Sequence, residues 1–160
     1  MPDRLTMRRA MAADAAAVRA LTREAYAKWV AVTGREPLPM RVDYVEAVAR
    51  HRFDLIHEDG VLIALIETAC EADHLLIVNV AVSPACQKRG LGRHLLAHAE
   101  RLAIEAGYRE IRLYTNSLMA ENIALYQRLG YRIDREEGDL PRIQVHMSKA
   151  LAAPLAAPAS

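Results

Sequence analysis

Apolar residues follow two rhythms along the chain. After Asp14, placed as an N-cap, Val18, Leu21, Ala25 and Trp29 recur at helical spacing until Gly34; Val42, Val45, Val48 and Ala49 mark a shorter helix over Asp43 to Arg50. From Leu91 the apolar positions are 91, 95, 99, 102, 103 and 106, with His94, His98, Arg101 and Glu105 opposite, so an amphipathic helix runs to Gly107. Leu118 to Leu129 repeats the pattern up to Gly130. Between these lie short β-prone runs over 5–9, 53–57, 61–67, 75–82, 110–114, 131–134 and 143–147. Asp59-Gly60 tolerates positive φ and predicts a hairpin between the second and third runs. The run Leu75 to Val82 is apolar at nearly every position, as in a strand covered on both faces, and Asn79 is its exception. The order β-α-α-β-β-β-α-β-α-β-β predicts an α/β domain, a mixed central sheet flanked by helices.

At 160 residues, 52% of them hydrophobic, the chain can bury a core without staples. We expect a single domain over residues 1–149 and a disordered Ala/Pro-rich tail over 150–160. The formal net charge of +1 and the 5% aromatic content disfavour a nucleic-acid partner. Cys70 and Cys86 fit no metal-ligand spacing and are expected as reduced thiols. No apolar run approaches the roughly 18 residues of a membrane span, and the first residues lack the core of a signal peptide. A cytoplasmic protein with no membrane partner is the expectation, and a homodimer is the default association state.

The chemistry concentrates after the central strand, at Gln87-Lys88-Arg89-Gly90-Leu91-Gly92, where a loop opens a helix. Glycines admit close backbone approach, and the first amides of a helix lack intrahelical partners, so the segment can cradle an anion, with Lys88, Arg89 and Arg93 adding charge. Taken alone, the Gly-x-Gly pair reads first as a tight turn, and it matches neither the Walker loop nor the dinucleotide fingerprint. Asn122 and Tyr126, four residues apart, share a helix face and can meet one ligand, although an aromatic at that spacing is more often a packing residue.

Together the two segments resemble the GCN5-related N-acetyltransferase (GNAT) family. Its signature Gln/Arg-x-x-Gly-x-Gly/Ala is matched by Gln87 to Gly92, and its asparagine–tyrosine phrase by Asn116 to Tyr131. The resemblance implies a GNAT-like acyl-CoA N-acyltransferase fold. It also implies acetyl-CoA as co-substrate, with Val80, Ala81 and Val82 pairing with the pantetheine arm, and Gln87, Lys88, Arg89, Gly90, Leu91, Gly92 and Arg93 holding the pyrophosphate beside Asn122. The implied reaction is direct attack of a neutral primary amine on the thioester, with Tyr126 protonating the departing thiolate. The acceptor is expected to be a small molecule, with a peptide N-terminus or lysine also open.

A lysine-like amine of pKa about 10.4 is neutral in only about one molecule in 2,500 at pH 7, so a proton acceptor is needed. Relatives often carry a glutamate in the central strand, but Val78 precedes Asn79 here. Glu67, His74 and Tyr114 are the candidates, with a water chain as the alternative. Tyr26, Trp29, Met40 and Tyr44 are expected as apolar walls of the acceptor site, and Glu36, Asp43, Glu67 and Asp73 as attractors of a cationic amine. No metal is expected: His94 and His98 are four apart, yet Leu95 replaces the glutamate of a zinc motif. The runner-up function is a catalytically inactive acyl-CoA sensor that keeps the cradle and has lost the base.

Overall fold

The computed structural model describes residues 5–152. Its strands are β1 (Leu5–Arg9), β2 (Arg52–Glu58), β3 (Val61–Cys70), β4 (Leu75–Val82), β5 (Glu110–Asn116), β6 (Arg132–Glu137) and β7 (Gln144–Ala150). The helices are α1 (Ala15–Thr33), α2 (Tyr44–Arg50), α3 (Leu91–Glu105) and α4 (Ala120–Arg128). The order is the expected one, and the strands form one seven-stranded sheet, β1-β2-β3-β4-β5-β7-β6. Every neighbouring pair is antiparallel except β4 with β5.

Local chemistry explains most element ends. The β2–β3 hairpin turns on Asp59 and Gly60, with φ of 50° and 82°, the mirror-image turn whose twist matches the flanking strands. Asp43 caps α2, its carboxylate accepting from the amides of Val45 at 3.0 Å and Glu46 at 3.4 Å. Gly34 closes α1 in the left-handed region, its amide reaching Val30 O at 2.9 Å. Asp14 differs from expectation. Its carboxylate caps no α1 amide and instead takes two Arg8 hydrogen bonds, at 2.7 and 2.8 Å, and one from the Met11 amide at 2.7 Å.

Two cores form, one on each face of the sheet. Leu95, Leu96, Ala99 and Ala103 of α3 pack on Ile66, Leu75, Ile77, Ile111 and Met147. On the other face Val18, Leu21 and Ala25 of α1, with Tyr44 and Ala47 of α2, pack on Phe53, Leu55, Leu65 and Ala81. Leu75 and Ile77 thus face α3, whereas Ala81, an even number of residues further on, faces α1. The register explains the reversal: Thr68 pairs with Ile77 and Glu67 with Asn79, leaving Val78 as the extra residue of a β-bulge. One added residue exchanges the two faces of everything after it.

β3 extends to Cys70 rather than ending at Glu67, so Glu67 is an interior strand residue. At the chain's end, β7 includes Ala150, and the Leu151 amide donates to Arg109 O at 2.9 Å. Ala150 and Leu151 are thus held by the sheet rather than belonging to the expected tail, and residues 153–160 lie outside the described part. No helix among the described residues is long and apolar enough to cross a membrane.

Candidate active site

β4 and β5 pair only over Leu75–Ile77, and beyond the bulge β4 has no partner on that side. The Ser83 amide bonds Ile63 O at 2.8 Å, which fixes the alternation so that Val80 and Val82 turn their backbone groups toward the open edge. Side chains already meet the exposed carbonyls: the Tyr26 hydroxyl donates to Val80 O at 3.3 Å, and Gln87 Nε2 to Val82 O at 3.3 Å. Ala81 is not brought to this edge. Its backbone is turned to β3 and its side chain is buried under α1.

A cleft of about 550 Å³ lies along the open edge, lined by Val80, Val82, Gln87, Lys88, Gly90, Leu91, Gly92, Arg93, Asn122 and Tyr126. Gly90 caps α3 in the left-handed region at φ 82°, and Lys88 also takes a positive φ of 65°. The first helical bond of α3 runs from the His94 amide to Gly90 O at 3.0 Å, so the amides of Leu91, Gly92 and Arg93 lack helical partners. A Cβ added at Gly92 would meet no protein atom within 4 Å, and the residue's φ does not demand glycine. The fold has no use for a bare position there. A backbone kept bare beside unpaired amides fits a bulky anion such as a pyrophosphate.

Arg89 departs from expectation. Its guanidinium turns away to Glu58 of β2, at 2.6 and 3.1 Å, so only its backbone stays near the cradle. On α4, Asn122 and Tyr126 both line the cleft. Tyr126 packs edge-on against Tyr131 at 6.0 Å, its hydroxyl has no hydrogen-bond partner among the described residues, and burial pushes its pKa up to about 12. It therefore stays protonated at neutral pH. Trp29, expected at the acceptor site, lines this cleft instead.

A second cavity of about 620 Å³ opens on the α1–α2 side and shares only Tyr26 with the first. Its deepest polar groups are Glu67 and Asn79, each 3% exposed and paired across β3 and β4. Asn79 Nδ2 lies 3.3 Å from Thr22 Oγ1 and 3.4 Å from the Tyr44 hydroxyl, while its Oδ1 has no partner. His51, the residue closing α2, places Nδ1 2.6 Å from Glu67 Oε2. Burial raises the Glu67 pKa, and the hydrogen bond and charge of His51 oppose that rise. His51 and Glu67 both line the cavity, and the imidazole is the more exposed of the two.

His51 was not among the sequence candidates. Hairpin register alone would not have found it: the turn pairs Glu58 with Val61, and only the register shift between Ile56 and His57 brings Phe53 opposite Glu67 and so sets His51 diagonally beside it. His74 goes elsewhere, to the far end of β4 where β4 and β5 still pair, with Nδ1 2.7 Å from Asp73 Oδ1. Neither cavity includes it. Tyr114 lines the second cavity, and burial and the Glu67 charge raise its pKa, which makes it a proton holder rather than an acceptor. Tyr44 lines the cavity as expected, and Met40 is buried without reaching it. Of the four expected acids, only Asp43 and Glu67 line it; Glu36 pairs with Arg23 at 2.8 Å.

The family model described as "Acetyltransferase (GNAT) family" matches residues 16–131, which include the cradle, Asn122 and Tyr126. The chain belongs to the GNAT acetyltransferase family. Solved structures agree with this fold. A PaiA N-acetyltransferase from Thermoplasma acidophilum in complex with coenzyme A superposes with a TM-score of 0.79 at 20% identity, over 91% of this chain and 98% of that one. The yncA protein of Salmonella typhimurium, solved with acetyl-CoA, gives 0.72 at 22% identity over 99% and 100%. In sequence, the ribosomal protein bS18-alanine N-acetyltransferase of Escherichia coli K12 is 34% identical over 74 residues, 46% of this chain and 50% of that one. The chain spans about half the length of the curated relatives it matches. As a GNAT fold it places the open β4 edge between two cavities.

Proposed function

We propose that this protein is an acetyl-CoA-dependent N-acetyltransferase acting on a primary amine of a small molecule by direct attack. One observation carries the proposal: two cavities share Tyr26 at the unpaired edge of β4, one with an anion cradle and a protonated tyrosine, the other with a buried carboxylate–imidazole pair. Membership of the GNAT family supports it.

Acetyl-CoA, when bound, supplies an activated acetyl thioester. In this reading Val80 and Val82 offer backbone groups to its pantetheine arm. The amides of Leu91 to Arg93, with Gln87, Lys88 and the bare backbone of Gly90 and Gly92, hold the pyrophosphate, and Asn122 positions the arm from α4. Ala81 has no part, and Arg89 contributes its amide alone. On the acceptor side His51 takes the amine proton while Glu67 fixes its ring and offsets the charge it gains; histidine is the residue type that exchanges protons near neutrality. Tyr126 Oη gives its proton to the departing sulfur. This arrangement moves the base from the central strand to the end of α2, which accounts for a Val78 where relatives often carry glutamate.

The test combines melting with turnover. At one hundred times its dissociation constant, acetyl-CoA should stabilise the protein by about 2.7 kcal/mol, and a panel of primary amines should release free thiol from it. Stabilisation without thiol release on any amine would leave an acyl-CoA sensor and overturn the proposal.

A further inference from the structure

The acceptor cavity is not the acid-lined site expected for a polycation. Of the carboxylates lining it, Asp43 is engaged by α2 amides, Glu46 pairs with Arg50, and Glu67 is buried against His51. The cations are disposed differently. Arg35, in the loop after α1, and Arg142, in the loop between β6 and β7, both line the cavity and are both exposed. Among the described residues neither has a carboxylate partner. Both belong to the lining of one cavity, and the Arg35 pKa is lowered by desolvation and then by the like charges of Arg142 and Arg41.

Two arginines from distant parts of the chain thus line the same cavity. Their loops are tied down: the Thr33 hydroxyl lies 2.8 Å from Arg35 O, Asn116 Nδ2 donates to Pro141 O at 2.9 Å, and the Ser117 amide to Ile143 O at 2.9 Å. Neither arginine lines the other cleft, so neither belongs to the pyrophosphate cradle. Deeper in the same cavity lie the buried Glu67 and Asn79, each 3% exposed, and the half-buried His51. The cavity is thus polarised, with a buried carboxylate–imidazole pair inside and two exposed arginines on its lining. Its volume of about 620 Å³ suits a small molecule.

From this geometry we infer that the acceptor is a primary amine that also carries a carboxylate, the amine directed to His51 and the carboxylate held by Arg35 and Arg142. The inference rests on the proposed transfer reaction for its amine end and on the arginine pair for its anionic end. Guanidinium is the side chain best shaped for a carboxylate, since it offers parallel donors in a plane.

Acceptors matched in length and differing only at the far end supply the test. γ-Aminobutyrate and ε-aminocaproate are compared with butylamine and hexylamine, and with putrescine and 1,6-diaminohexane. Thiol release from acetyl-CoA should favour the carboxylated member of at least one matched set by about tenfold in kcat/KM, in line with a charge-assisted hydrogen bond. Arg35→Gln and Arg142→Gln should raise its KM by about tenfold and bring the ratio within the set toward one; both residues are exposed, so folding is not at issue. Equal or better turnover of the neutral amines or diamines, or acetylation confined to peptides, would overturn the inference while leaving the transfer reaction standing. Calorimetric titration of the same amines onto the coenzyme A-bound protein separates the other case. Carboxylated amines that bind, lose binding in the arginine variants and are never acetylated would keep the anion site and refute the transfer reading. Neither binding nor turnover would refute both.

Discussion

His51 and Glu67 divide one task between a half-buried imidazole and a buried carboxylate. His51→Gln should lower kcat at pH 7 by about 100-fold, the lower end of what a positioned base provides. The deficit should shrink as pH rises toward the amine's own pKa, about 10.4 for a lysine-like amine, because the substrate then loses its proton unaided. A pH profile of kcat/KM therefore separates a base from a packing residue. Glu67→Gln retains an acceptor for the His51 ring and removes a carboxyl that burial disfavours, so activity should fall while the melting temperature stays close to that of the parent. For Tyr126→Phe the expected result is a fall in kcat of about 100-fold with the acetyl-CoA melting shift intact. Gly92→Ala offers the sharpest contrast at this scale. Alanine should stabilise α3 by about 0.5–1 kcal/mol, since nothing in the protein opposes its Cβ, yet weaken acetyl-CoA binding because the methyl enters the cradle.

At the scale of elements, the bulge at Val78 decides where the site lies. It ends the pairing with β5, turns Asn79 toward α1 and α2, and leaves Val80 and Val82 facing the cleft. Removing Val78 would restore an unbroken ladder and send Asn79 to the apolar α3 face; an unpaired buried amide costs several kcal/mol, so this deletion should unfold the protein at 37 °C. The element order, the Asp59-Gly60 hairpin and the glycine stops were legible because short-range chemistry dictates them. So were the cradle and the Asn122–Tyr126 pair, which depend on spacing within one loop or helix. The end of β3, the bulge and His51 were not. Strand pairing sets the first two, and the third is carried to Glu67 by the shifted register of the hairpin rather than by any motif of its own. Arg35 and Arg142 were invisible for a similar reason, since two loops more than a hundred residues apart line one cavity only in the folded chain.

The whole molecule is a single sheet with a core on each face, and its first strand is secured at the edge. Arg8 of β1 holds the Asp14 carboxyl at a pKa of about 2, below its ordinary 3.8. A depressed carboxyl stabilises the fold above its unfolded value and loses that contribution as pH falls through the folded one. Asp14→Asn should therefore lower stability by about 1 kcal/mol at pH 7, a figure discounted because Arg8 is half-exposed, and by less at pH 3; urea midpoints at the two pH values would show it. The two cavities share only Tyr26 among their lining residues, so donor and acceptor can occupy the protein together, and neither must depart before the other arrives. Initial rates measured while both concentrations are varied should accordingly give intersecting reciprocal plots rather than parallel ones, the signature of a ternary complex with no acetylated enzyme along the way.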